Sequence, residues 1–313
     1  MAVSKEQLFR ILKEHYILDM SQKEIARLEK LSTATISRLI KDAKAQGYVK
    51  IELNLPDNSV PELEKKIRDK YGVGFVSVTR VQVENEDMII HDVAQPFSDY
   101  LFSIMRDGDV IGLSWGRTLC KMALDLHVKE PRDVTFVSLS GGVTINVTET
   151  GVEQTVRRFA EAFDAQGYAF PLPAYLSNEL MKEAVLSDEQ FSELFEMIRK
   201  AQIAVFSVGP LNTNSLLYES GYFSYDEMAE LVQRGFVGDI CGRLIRSDGE
   251  YEKDGDYTHS VGITLEALKE KKHKMCVVTK PDKASVLDSA LRGGFIDELF
   301  VDERTAERLL IIT

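Results

Sequence analysis

The chain has 313 residues, enough for one large domain or two of ordinary size, and 44% hydrophobic residues supply ample material for a buried core. No apolar run approaches the roughly 18 residues needed to span a bilayer. The N-terminal MAVSKEQLFRILKEH lacks the continuous apolar stretch of a signal peptide, and Cys120, Cys241 and Cys276 are too scattered for a disulfide framework or metal site, so a reduced, cytoplasmic protein with no membrane contact, metal or cofactor is expected.

The net charge of −12 argues against a nucleic-acid partner only if it is evenly spread, and it is not. Residues 1–55 carry ten Lys/Arg against seven Asp/Glu. A mildly basic small end on an acidic body suits a protein that touches phosphates only at that end. Within it, Ser4 is placed to cap a helix carrying Leu8, Ile11, Leu12 and Tyr16 on one stripe. Ser21 with Glu24 three residues on reads as a capping box for a second helix bearing Ile25, Ala26 and Leu28. Ser32 then caps a third, whose inward stripe is Ile36, Leu39 and Ile40.

Helices so closely joined must cross steeply, which is the helix-turn-helix arrangement that sets its second helix in the DNA major groove. On that helix Thr33, Ala34, Ser37, Arg38 and Lys41 point outward. Thr33, Ser37 and Arg38 can donate to base edges or phosphates, and Ala34 can pack on a thymine methyl. After Gly47, YVKIELN alternates like a strand and would make a small wing. Two positions depart from the motif: Lys30 stands where the turn usually has Gly, and Glu29 where Leu is common. The alternative is an ordinary helical hairpin.

NLPDNSVPE, residues 54–62, holds two prolines between the two charge regimes and reads as a boundary, giving domains 1–55 and 56–313. Pro61 starts a helix with Leu63, Ile67 and Tyr71 on one stripe, which would pack against a twin or the next domain or stay solvated. From residue 73 the runs FVSVTRV, DVIGL, VTFVSL, AVFSVG, FVGDICG, KMCVVT and ELFVD alternate with helical stretches near 88–106, 118–127, 153–165, 189–201 and 283–291. That alternation predicts an α/β domain with a mostly parallel sheet covered on both faces.

Four strand ends carry candidate chemistry. DVIGLSWGRTLCKMA reads as a strand, a small-residue turn at Ser114–Thr118 and a helix, where backbone N–H groups bind anions and Gly116 lets a phosphate approach. VTFVSL ends in Ser140-Gly141-Gly142. VGDIC sets Asp239 just past a strand, suited to sugar hydroxyls, and KMCVVTKPDKASVL sets Lys283 on the first turn of a helix, suited to phosphate charge. Ligands of open α/β sheets sit beyond the carboxyl ends of strands. Trp115, the one tryptophan, is either core or a lid over such a ligand. No nucleophile elbow or phosphate-binding NTPase loop is present.

In this order, the helix-turn-helix, GDVIGLSWGRTL, LSGG, VGDICGRL and VTKPDKA resemble the SorC family of sugar-responsive bacterial regulators, with its deoxyribonucleoside-regulator branch particularly similar. The resemblance covers nearly the whole chain. It implies a winged N-terminal domain on double-stranded operator DNA, and a sensor domain similar in fold to ribose-5-phosphate isomerase and glucosamine-6-phosphate deaminase. It also implies a phosphorylated sugar as effector and a homo-oligomer, dimer or tetramer. By the same resemblance, Ser114, Trp115, Gly116, Arg117 and Thr118 form the phosphate loop, while Ser140, Gly141, Gly142, Asp239 and Lys283 line the rest of the pocket. Two positions depart from the family pattern: Arg117 replaces a frequent Thr, and Ser140 replaces the lysine that forms a Schiff base in that branch. The expected protein is a repressor of a sugar or nucleoside catabolic operon that binds its effector non-covalently. The rival reading is a sugar-phosphate isomerase or deaminase with an accessory domain, in which Asp239 or Lys283 does acid–base work.

Overall fold

The computed structural model describes residues 3–49, 58–126, 130–142, 151–251 and 259–312. The chain divides into two compact units, Met1–Asp57 and Asn58–Thr313. From residue 50 onward the expected wing lies outside the described residues, as does most of the proline-containing boundary before Asn58.

Among the described residues the smaller unit holds three helices, α1 (Lys5–Tyr16), α2 (Gln22–Leu28) and α3 (Thr33–Ala45). Each starts on a serine that accepts a first-turn N–H: Ser4 from Gln7, Ser21 from Glu24 and Ser32 from Thr35. Glu24 accepts the Ser21 N–H in return, completing the capping box. Ile11, Leu12, Ile25, Ala26, Ile36, Ile40 and Ala43 close into one core. Leu28, the third apolar residue read on α2, is 60% exposed. The inward positions after Ile25 and Ala26 fall three to four residues on, and Glu29 occupies them. Its side chain is only 6% exposed because Arg10 grips it as an ion pair and Gln7 Nε2 donates to it at 3.0 Å. Those bonds satisfy a carboxylate at a position that otherwise suits leucine. Lys30 then takes the left-handed conformation, φ 54°, that turns the chain into α3.

In chain order the larger unit contains α4 (Pro61–Tyr71), β1 (Phe75–Thr79), α5 (Glu86–Ile104), β2 (Val110–Leu113), α6 (Arg117–Met122) and β3 (Thr135–Ser138). There follow α7 (Val152–Phe163), β4 (Gln166–Tyr168), α8 (Glu179–Ser187), α9 (Glu189–Lys200), β5 (Ile203–Phe206), β6 (Val208–Pro210), α10 (Leu216–Glu219) and α11 (Tyr225–Gln233). The last elements are β7 (Phe236–Ile240), β8 (Arg243–Arg246), α12 (Leu265–Lys269), β9 (His273–Val278), α13 (Ala284–Arg292), β10 (Glu298–Asp302) and α14 (Glu303–Ile311). Among the described residues no helix is long and apolar enough to cross a membrane.

Seven strands form one sheet in the order β1-β10-β9-β5-β2-β3-β4, every pair parallel. Alternate residues of each strand enter opposite cores. Val76, Val78, Ala204, Phe206, Cys276 and Val278 pack under α4, α9, α13 and α14. Ile111, Leu113, Phe136, Val205, Val277 and Phe300 pack under α5, α6 and α7. Both faces are thus covered, as parallel sheets require. α4 is neither solvated nor waiting for a twin: Ile67 is buried in the first core and Tyr71 donates to Asp288 Oδ1 at 2.6 Å.

One expected strand belongs elsewhere. The VGDIC run is β7, the middle of a separate antiparallel sheet β6-β7-β8. Asp239 therefore lies within a strand rather than past its end. The hairpin from β7 to β8 turns on Cys241 and Gly242, φ 52° and 78°. Two consecutive left-handed residues make the tight turn that matches strand twist.

Candidate functional site

Strand order places a topological switch between β2 and β5. The chain leaves β2 for β3 on one side, and after β5 the next strand of this sheet is β9 on the other. Such a reversal opens a crevice beyond the carboxyl ends of the two strands. A cavity of about 310 Å³ lies there. The loop after β2 (Ser114–Leu119), the β5–β6 turn (Ser207–Pro210), the segment Asn214–Leu217 with Glu219, the β7–β8 hairpin and the residues after β9 line it.

The loop after β2 is pinned by the Ser114 N–H, which donates to the Val205 carbonyl at 2.9 Å. Ser114 is 3% exposed, and its hydroxyl has no hydrogen-bond partner among the described residues. Gly116 follows with φ 139°, a conformation that strains any side-chain-bearing residue. Thr118, buried, stands in the first turn of α6. Trp115 is half-buried: it packs on the core beneath α5–α7 and also forms part of the cavity wall.

Asp239 and Lys283 face the cavity from its other side. Burial pushes the Asp239 carboxyl up to about 6, against the opposing pull of the Gly242 N–H, which donates to Oδ2 at 2.9 Å, and of the Lys283 charge. Burial likewise pushes the Lys283 ammonium down to about 8. Lys283 closes a single-turn 3₁₀ segment ahead of α13 and donates to Ser207 Oγ at 3.2 Å. Two ionisable groups that are costly to charge thus share a polar cavity, a pattern that marks binding sites.

The predicted residues Ser114, Trp115, Gly116, Arg117, Thr118, Asp239 and Lys283 meet on this wall. Ser140, Gly141 and Gly142 do not. Ser140 is 1% exposed and pairs through its backbone with Gly262. A Cβ on Gly141 would lie 2.3 Å from the Pro173 carbonyl oxygen, and one on Gly142 would lie 3.0 Å from the Trp115 ring. Gly141 lets the Leu172–Pro173 backbone approach, and Gly142 lets the indole pack against the chain. Arg117 does not point its charge freely into the cavity: Nη1 reaches both Glu219 oxygens at 2.8 Å and Nη2 donates to the Asn214 carbonyl at 2.5 Å. It ties the α6 loop to the segment leading into α10.

Ser207, Asn214, Glu219 and Gly242 also line the cavity but were not singled out in the sequence. Of these only Ser207 left a local trace, as the polar residue that splits AVFSVG into β5 and β6. Among the described residues no three His, Cys, Asp or Glu side chains are placed to hold a metal ion.

An α/β domain with a polar cavity at its switch point is the architecture of a small-molecule sensor or enzyme. The family described as "Putative sugar-binding domain" matches residues 58–311, cavity included. Over 296 residues the chain is 32% identical to the deoxyribonucleoside regulator of Bacillus subtilis (strain 168), covering 95% of this chain and 94% of that protein. It is 25% identical over 305 residues to the sorbitol operon regulator of Klebsiella pneumoniae, covering 97% of each. The crystal structure of full-length SorC from K. pneumoniae matches with a TM-score of 0.71 at 25% identity, covering 98% of this chain and 100% of that one. The chain belongs to the SorC family of sugar-binding transcriptional regulators.

Proposed function

We propose that this regulator controls a sugar or nucleoside catabolic operon as a repressor, and that a phosphorylated sugar held in the cavity beyond β2 and β5 modulates its grip on operator DNA. The observation that carries the effector is the convergence of a partnerless Ser114 hydroxyl, the Gly116 turn and the Lys283 ammonium on one cavity. A phosphate would accept from the loop N–H groups, Ser114 and Thr118, and would repay the desolvation of Lys283. Asp239 would take sugar hydroxyls. Ser140 has no amine, and the cavity lysines Lys280 and Lys283 lie on a different loop, so in this reading binding is reversible and non-covalent.

In this reading α2 and α3 are the helix-turn-helix, and Thr33, Ala34, Ser37, Arg38 and Lys41, all exposed on one face of α3, read the major groove. A homo-oligomer, dimer or tetramer, would match a pseudo-palindromic operator. The sensor unit would share its ancestry of form with ribose-5-phosphate isomerase and glucosamine-6-phosphate deaminase. Three free, buried cysteines suit a reducing cytoplasm. The enzymatic alternative is not favoured, because the full-length relatives are named as regulators.

The test is a titration of sugar phosphates and their dephosphorylated counterparts, read by thermal shift and by anisotropy of labelled DNA from upstream of the gene. Phosphorylated sugars should stabilise the protein and alter DNA affinity, while free sugars should do neither. A free sugar as effective as its phosphate would overturn the assignment, and so would turnover of ribose 5-phosphate. A borohydride-trapped adduct in the intact mass would overturn the non-covalent reading.

A further inference from the structure

The side of the cavity that carries Asp239 and Lys283 is one tightly packed body. α13 runs on directly from Lys283 and lies against the small sheet without slack. A Cβ on Gly238 of β7 would lie 2.3 Å from Val286 Cγ2, and one on Gly249, after β8, would lie 2.5 Å from the Gly293 nitrogen. The Ser289 hydroxyl donates to the Ser247 carbonyl at 3.1 Å. Interiors packed this closely transmit a displacement rather than absorb it. Asp239 on β7 and Lys283 ahead of α13 are therefore coupled to the position of α13 as a whole.

α4 spans from the large sheet to this body. Its N-terminal end is tied to β1: Val60 N–H donates to the Val78 carbonyl at 3.0 Å, Arg80 N–H to the Asn58 carbonyl at 2.7 Å, and Val78 N–H to Glu64 Oε1 at 3.1 Å. Its C-terminal end is held by side chains. The Tyr71 hydroxyl donates to Asp288 Oδ1 of α13 at 2.6 Å, and Lys70 Nζ donates to the Ile312 carbonyl, just past α14, at 2.6 Å. Asp288 is 4% exposed, and its other oxygen accepts from Arg292 Nε at 2.8 Å. It lies one turn into α13, about 6 Å along the axis from the helix's first residue. α4 is also the first helix of the larger unit, so a shift of α4 acts on the chain where the smaller unit is attached.

An O–H···O bond holds over roughly 2.5–3.0 Å, so a slide of α13 by about 0.5 Å takes Tyr71 and Asp288 out of range. Breaking the bond strands a buried carboxylate oxygen, which folded proteins avoid. The bond is thus either made or broken, a two-state element of the kind through which two sites can bias one another. We propose that the Tyr71–Asp288 bond links the cavity to operator binding, so that a ligand drawn to Lys283 shifts α13 and is felt by the DNA-binding unit through α4. The proposal rests on the reading that places a phosphorylated sugar at the Ser114–Thr118 loop and Lys283.

The test uses full-length wild type, Tyr71→Phe, Asp288→Ala and Asp288→Asn, with ribose 5-phosphate, fructose 6-phosphate and glucose 6-phosphate as probes. Thermal shift reads probe binding, and anisotropy of labelled DNA from upstream of the gene reads the coupling. At least one probe should change wild-type DNA affinity about 5–150-fold, the usual span of allosteric coupling. Tyr71→Phe and Asp288→Ala should still bind DNA and that probe, yet bring the factor to within about two-fold of one. Asp288→Asn, whose amide oxygen still accepts from Tyr71, should keep most of the factor. If Asp288→Ala fails to fold, Tyr71→Phe decides, because it removes one oxygen and leaves Arg292 on Asp288. Side chains that serve the fold alone would lower the melting temperature and leave the factor near its wild-type value, which would overturn the proposal. Loss of DNA or probe binding in Tyr71→Phe would do the same, as would an Asp288→Asn that behaves like Asp288→Ala. A probe that protects the wild type but leaves its DNA affinity unchanged overturns the coupling alone. Failure of the phosphate reading has a separate signature: no probe protects the wild type, and the link falls with it.

Discussion

Lys283→Met tests the proposed phosphate end of the cavity on stability and binding at once. Burial takes the Lys283 ammonium from its ordinary 10.5 to about 8, an interval equivalent to about 3 kcal/mol. The sign is that of a base whose folded value is lowered. The cost of charging is fully present below pH 8 and fades as pH rises from 8 toward 10.5. Methionine of similar length removes that cost but forfeits the bond to Ser207 Oγ, about 1 kcal/mol, and leaves Asp239 without its neighbouring cation. A net gain of about 2 kcal/mol is expected at pH 7, or roughly 4–8 °C in a unit of this size. The wild type should recover up to about 2.7 kcal/mol when a sugar phosphate reaches a hundred times its dissociation constant, and the variant should recover far less. Differential scanning fluorimetry at pH 7 and pH 9.5, with and without ribose 5-phosphate, measures all of this. A variant that melts lower than wild type at pH 7, yet keeps the ligand shift, would refute the reasoning.

Asp239→Asn should stabilise the protein above pH 6. The carboxyl's folded value is raised from 3.8 to about 6, so its contribution is intact below 3.8 and lost as pH rises through 6. Urea unfolding should show no difference at pH 4 and a gain of up to about 3 kcal/mol at pH 8; a constant difference across pH would exclude this cause. Glu219→Gln should release the Arg117 guanidinium from its bidentate carboxylate and tighten inorganic phosphate several-fold in calorimetry, whereas weaker binding would mean that the latch shapes the site. Arg38→Ala should weaken specific DNA binding by about 1–3 kcal/mol if it reads a guanine, with anisotropy as the readout; unchanged affinity would remove Arg38 from the reading surface.

What could be read in advance was what local physics decides. The three serine caps of α1–α3 announce themselves because a hydroxyl and an N–H three residues on are neighbours whatever the rest of the chain does. Buried parallel strands show as short apolar runs, since both of their faces are covered. Glu29 did not look like an inward residue, because its burial depends on Arg10 and Gln7 from another helix. The small sheet was harder still. β6 and β8 are three and four residues long, and the hairpin between β7 and β8 turns on Cys241-Gly242 where an Asn-Gly or Asp-Gly pair would have signalled it. Reading β7 as one more parallel strand followed from that missing signal.

The site divides along the same line. The Ser114–Thr118 loop is legible because a strand, a small-residue turn and a helix follow one another without interruption, so sequence neighbours are also neighbours in space. Gly141 and Gly142 look alike in sequence, yet their lack of side chains serves the Pro173 backbone and the Trp115 ring, which lie 32 and 27 residues away along the chain. Tyr175 and Ser260 are the converse. Each is an unremarkable polar residue in an irregular segment, 85 positions apart, and a single backbone bridge joins them beside a glycine of a third segment. No periodicity encodes such a meeting. What reveals it is the three-dimensional structure, in which a Cβ built on Gly242 would lie 3.3 Å from Ser260 Oγ and 3.5 Å from Tyr175 Oη.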